Sequence, residues 1–146
     1  MKLIFNILTI SILFFSCKYE DRYTGDPQPS ISKLTLNKSD FKQFTDTVVL
    51  TFDYSDGDGD LGFESADSLS VEVKDIRFGK PDYYHLKPLA SLTAKVAISG
   101  SIRITLKNIF LLGAGSSEST QFQVRIKDRA RHWSNALTSK SVNINK

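Results

Sequence analysis

From Ile31 to the C-terminus, apolar residues recur at every second position, and this periodicity confines the chain to β-structure. Leu34 and Leu36 alternate with polar neighbours, and Val48, Leu50, Phe52 and Tyr54 alternate with Val49, Thr51 and Asp53. The same spacing returns in Leu69, Val71 and Val73, and in Ile102, Ile104 and Leu106 around Arg103 and Thr105. It returns again in Phe122, Val124 and Ile126, and closes with Val142 and Ile144. Successive side chains of a strand point to opposite faces, so each segment has one face for a core and one for solvent. No window of a dozen residues carries an apolar stripe at helical spacing. Val96 and Ile98 are expected to pair back onto Ile102 and Ile104 across Ser99-Gly100, a hairpin signal.

One-sided strands bury their apolar faces by closing two sheets on each other. With 40% hydrophobic and 24% charged residues, the chain has enough apolar material for one core. Six to eight short strands over residues 31–146 resemble an immunoglobulin-like or fibronectin type III-like antiparallel β-sandwich. The cysteine–tryptophan–cysteine signature of antibody domains is absent, since Cys17 is the single cysteine.

The N-terminal stretch reads as a processing signal. Met1-Lys2 is followed by a nearly unbroken apolar run, Leu3 to Phe15. That run is too short to span a bilayer, which takes about 20 residues, and matches a signal-peptide core. Phe14-Phe15-Ser16-Cys17 resembles the lipobox of bacterial lipoproteins, with Phe14 where leucine is common. The resemblance implies cleavage of residues 1–16 and acylation of Cys17, anchoring the protein to the outer membrane. Diacylation also accounts for one unpaired cysteine in an exported chain, where a free thiol is a liability. Residues 17–30, rich in proline, glycine and charge, read as a tether of about 20 Å. Its opening, Lys18-Tyr19-Glu20-Asp21, resembles the signal behind the lipid cysteine in surface-displayed lipoproteins of the Bacteroidota type. Loss of Lys2 takes the formal charge from +3 to +2, which gives no support to nucleic acid as a partner.

The sharpest local feature is Asp56-Gly57-Asp58-Gly59-Asp60-Leu61-Gly62. Glycines let three alternate carboxylates curl around one point, and calcium takes six to eight oxygen ligands. Against the EF-hand pattern, Asp56, Asp58 and Asp60 fit the first three ligand positions, Glu64 and Asp67 the later ones. Leu61 stands where glycine is required, with Gly62 one residue late, and the flanks are strand-like. The loop is therefore similar to calcium loops between strands of extracellular β-modules, and DGDGDLG resembles the loop of Bacteroidota-type lipoproteins with immunoglobulin-like domains. Residues 53–75 hold eight acids and one base, while nine bases and two acids follow from Lys95 onward. Crowded carboxylates need neutralising. Calcium, an internal clamp by Arg129 or Arg131, and a merely solvated turn remain open. In the calcium reading, Asp128 is the candidate oxygen donor from a second loop.

Lys127-Asp128-Arg129-Ala130-Arg131-His132-Trp133-Ser134-Asn135 resembles the last hairpin of bacterial immunoglobulin-like domains, with Arg131 and His132 replacing glycine and asparagine. Arg129, Arg131 and Trp133 are candidates for binding a glycan, a protein partner or an anion, or Trp133 caps the core. Tyr83, Tyr84 and His85 read as a strand edge, and Ile109 to Gly115 as a strand end entering a loop. Two histidines outside any zinc spacing, with the cysteine lipidated, leave no convergent catalytic set. Three expectations follow: a lipid-anchored, non-catalytic binding or accessory module of the cell envelope; a structural subunit of an envelope complex; or, last, a small hydrolase.

Overall fold

The computed structural model describes residues 26–146, and the expected leader, Cys17 and the tether as far as residue 25 lie outside the described residues. Ten strands and no helix make up the described chain: β1 (Ser30–Leu36), β2 (Asp40–Lys42), β3 (Val48–Asp56), β4 (Leu69–Asp75), β5 (Asp82–His85), β6 (Ile98–Leu106), β7 (Ser117–Thr120), β8 (Phe122–Ile126), β9 (Leu137–Thr138) and β10 (Val142–Asn145). They pair as β1-β3-β6, β2-β10-β7 and β5-β4-β8-β9, all antiparallel except β10 against β2.

The all-β expectation holds, but there are three sheets and not two, and ten strands and not six to eight. The extra division has a local cause. Gln121 alone separates β7 from β8, and Ser139 to Ser141 separate β9 from β10. At that seam one backbone bond remains, Ser139 N–H to the Phe122 carbonyl (2.8 Å), and side chains supply the others. Phe122 donates its amide to the Ser139 hydroxyl, and the Gln121 amide group donates to the Ser139 carbonyl (both 3.0 Å). One long strand pair is thereby broken into two short ones in adjoining sheets.

The alternation that defines the strands also builds the core. Val48, Leu50 and Phe52 of β3 are fully buried, facing Val71 and Val73 of β4 and Val124 and Ile126 of β8. Phe41, Val142 and Ile144 close one side, and Leu61 enters from the aspartate loop. Burying each such side chain contributes about 1.5–3 kcal/mol.

Two local expectations fail. β6 runs straight from Ile98 to Leu106 along β3, so no hairpin forms at Ser99-Gly100. Gly100 stands opposite Tyr54, where an added Cβ would lie 3.0–3.2 Å from the tyrosine ring and hydroxyl. The glycine makes room for Tyr54 and does not turn the chain. Leu69 is 43% exposed because the register shifts between Leu69 and Val71, which turns it off the inward face. Tyr83, Tyr84 and His85 do lie on an edge strand, β5. The end of the expected tether belongs to the domain: Pro29 is fully buried, and the Asp26 carbonyl accepts the Gly57 amide (3.1 Å).

The strand register defines two poles. Asp56 at the end of β3, Ile98 at the start of β6 and Asp128 after β8 lie at one, together with the entry at Asp26. Asp75, Leu106 and Phe122 lie at the other.

Candidate metal centre

The last residue of β3 and the glycine loop behind it gather the three aspartates. One carboxylate oxygen each from Asp56, Asp58 and Asp60 lies within 4.8 Å of the others. Gly59 and Gly62 make this curl possible. Both take positive φ (71° and 85°), and a Cβ would meet the Val96 carbonyl oxygen at 2.4 Å and the Lys87 carbonyl oxygen at 2.2 Å. Only glycine fits either position. The loop is then laced to segment 86–89 by Phe63 N–H to the Leu86 carbonyl (2.8 Å) and Leu89 N–H to the Leu61 carbonyl (3.1 Å).

Electrostatics single out Asp56. It is 2% exposed, and both its carboxylate oxygens are buried with no hydrogen-bond partner; one oxygen each of Asp58 and Asp60 is in the same state. Burial, reinforced by the charges of Asp58 and Asp60, pushes the Asp56 pKa up from 3.8 to about 6; the nearby Asp60 amide opposes this without forming an aligned hydrogen bond. Burial also raises Asp60, helped by Asp128 and Asp58 and opposed by the Ala130 amide and Arg129. Buried unpaired carboxylates are costly, and native structures avoid them unless a cation or a function intervenes.

The acid-rich segment does not repel as a whole. Asp53 pairs with Lys33 (3.0 Å), Glu72 with Arg125 (2.8 Å) and Asp75 with Arg77 (2.6 Å). Glu64 and Asp67 are exposed. The glycine loop alone keeps its buried charge without a cationic partner among the described residues.

The loop after β8 reaches this site, as the sequence led us to expect, but it contacts the site through its backbone. Leu61 and Asp128 form an isolated bridge, Arg129 N–H donates to the Asp60 carbonyl (3.2 Å), and Ala130 N–H to the Asp60 carboxylate (3.0 Å). Asp128 is 1% exposed but stands outside the cluster. Its carboxylate accepts the His132 amide (2.7 Å) and pairs with the His132 ring (2.9 Å), closing its own turn. The Arg129 guanidinium donates to the Gly62 carbonyl (3.1 Å), and no ion pair joins Arg129 or Arg131 to the three aspartates among the described residues. The clamp is thus made by backbone hydrogen bonds, with no arginine–carboxylate pair.

Arg129 and Arg131 line a cleft of about 500 Å³ with Lys127, Asp67 and Tyr83, and Arg131 holds a positive φ of 74°. Trp133 is not part of that cleft. It is half-buried with the Arg125 guanidinium 4.2 Å and the Lys127 ammonium 5.1 Å from its ring centroid, and its carbonyl accepts from Gln28 (2.8 Å). The tryptophan thus braces two cations, an arrangement worth roughly 0.5–1 kcal/mol at an exposed site. Asp128 and His132 make an acid–imidazole pair, but no hydroxyl hydrogen-bonds His132 among the described residues. The sequence missed the orphaned state of Asp56, because nothing in a linear pattern tells which aspartate turns inward. No protein-family model, curated protein or solved structure matches the chain.

Proposed function

We propose that the protein is a lipid-anchored, non-catalytic binding or accessory module of the cell envelope, whose aspartate pole is rigidified by calcium. The observation that carries the metal reading is Asp56, a carboxylate with both oxygens buried, unpartnered and facing two more carboxylates. A hard divalent cation offsets the repulsion and satisfies the orphaned oxygens; Asp56, Asp58 and Asp60 would hold it, with further oxygens from backbone and water. Extracellular calcium modules bind at about 0.1–1 mM, and a loop with three side-chain carboxylates belongs in that range.

The immunoglobulin-like reading of the fold rests on the seam at Gln121. Taken as one kinked strand pair, β7–β8 and β10–β9 merge two of the sheets into one facing β1-β3-β6. The anchoring reading rests on the apolar leader and Cys17.

Thermal unfolding tests the metal. At calcium a hundredfold above the dissociation constant the native state gains about 2.7 kcal/mol, a midpoint rise of roughly 10 °C for a domain this size. Chelator reverses it, and Asp58→Asn with Asp60→Asn abolishes it; a rise that survives both substitutions rejects the site. The anchor is checked by mass spectrometry of the mature N-terminus, which is expected to begin at an acylated Cys17. An intact leader with a free thiol there defeats the envelope assignment.

A further inference from the structure

The pole opposite the aspartates carries a recess of about 580 Å³, a size that suits a small organic ligand. Its walls are largely aromatic and aliphatic: Phe78, Tyr84, Phe110 and Phe122, with Val73 and Ile109. Phe110 stacks on Phe44 with centroids 6.1 Å apart and planes 6° from parallel, and Phe78 meets it edge-on, also at 6.1 Å. Three aromatic rings therefore form a row, of which Phe78 and Phe110 line the recess and Phe44 backs Phe110 from outside it. Phe44 is 73% exposed and sits at a φ of 56°. A bulky side chain in the left-handed region is a strained choice, and spending it on an exposed ring adds little to the core.

This recess is held in shape by Arg77. Its guanidinium, 10% exposed, pairs with Asp75 (2.6 Å) and Glu118 (3.0 Å) and donates to the Phe110 carbonyl (2.9 Å). Glu118 in turn accepts the Leu112 and Gly113 amides (2.9 and 2.6 Å). The loop bearing Phe110 is thus tied to the β4–β5 turn before any ligand arrives, which lowers the ordering cost of binding.

The same ties decide the charge of the site. Asp75 and Arg77 neutralise each other and are committed, as is Glu118. Lys80 and Lys107, both exposed, line the recess with no ion pair or side-chain hydrogen bond among the described residues, and the remaining acid is Asp82 beside Tyr84. Uncommitted positive charge exceeds negative by one, at the rim of an apolar hollow.

We infer that this recess is a binding site for a small amphipathic organic anion, its aromatic or aliphatic body lying between Phe78, Tyr84 and Phe110 and its acidic group meeting Lys80 and Lys107. The site lies at the far end of the strands from the aspartate cluster, so it stands or falls independently of calcium. The test is calorimetric titration of the full chain, reconstituted in lipid nanodiscs with empty nanodiscs as blank, using 4-phenylbutyrate and its neutral amide. The carboxylate is expected to bind saturably and at least fivefold more tightly than the amide. Lys80→Gln with Lys107→Gln brings the two affinities together, leaving the amide's affinity and the melting temperature unchanged, since both lysines are exposed. Phe110→Ala weakens both ligands by fivefold or more. Absence of saturable binding, equal affinity for the two ligands in the parent chain, or a charge preference that persists in the double lysine variant overturns the assignment.

Discussion

In excess chelator at pH 7, Asp56→Asn is expected to be more stable than the parent chain by about 2–3 kcal/mol, although it removes a charged group from the protein. The reason is the raised pKa. Asp56 titrates near 3.8 when exposed in the unfolded chain and at about 6 in the fold, so between those values the native state binds the extra proton. Where the native state holds more protons, stability falls as pH rises. The cost of ionising Asp56 is therefore absent below about pH 4, grows through the interval to about pH 6, and stays constant above it. Asparagine never pays it. The advantage of the variant should vanish at pH 4, and calcium at a hundredfold excess, worth about 2.7 kcal/mol to the parent alone, should erase it at pH 7. Urea midpoints at pH 4 and 7, with chelator or calcium, supply the four numbers. If the variant is the less stable protein at pH 7 in chelator, the orphaned carboxylate is not as we describe it.

The second large effect is expected at Gly62. Replacement by alanine places a methyl group 2.2 Å from the Lys87 carbonyl oxygen and 2.9 Å from Pro88 Cα, at a φ of 85°. The conformation alone costs a non-glycine residue roughly 1–2 kcal/mol. The contacts are with backbone, which has no rotamer to yield, so segment 86–89 must move and lose its bonds to Leu61 and Phe63. A total loss on the order of 3–5 kcal/mol follows, among the largest that one methyl group produces. Gly79→Ala is the control: nothing lies within 4 Å of its Cβ, and its effect should stay within about 0.5 kcal/mol. Equal urea midpoints for the two variants would remove Gly62 from its place against segment 86–89.

Much of the candidate site was legible in the chain. Carboxylates at alternate positions between glycines specify a cluster, and Asp56, Asp58 and Asp60 do converge. Asp128 lies at the same pole, bridged to Leu61, yet its carboxylate is turned to His132, because a tight turn four residues long satisfies it locally. Arg129 and Arg131 follow the same lesson: sequence locates them near the acids, but only side-chain packing decides that Arg129 reaches the Gly62 carbonyl. Nothing linear announced the recess at the other pole. Its walls come from β4, β5 and the turn between them, the end of β6 with the segment after it, and the first residue of β8, and Arg77 joins positions far apart in the chain.

By itself the sequence determined that the alternating segments after residue 31 are strands and which face of most of them is apolar, because side-chain alternation is a property of neighbouring residues. It also located the curl of the aspartate loop, since Gly59 and Gly62 enter the left-handed region freely. Tertiary structure decided the rest: that Gly100 yields space to Tyr54 and makes no turn, that a one-residue shift turns Leu69 outward, and that a seam at Gln121 splits the sheets. It also decided which of eight acids keeps its charge unanswered. Those outcomes depend on what lies across from a residue in space, and partners brought together by long-range strand pairing leave no trace in local spacing.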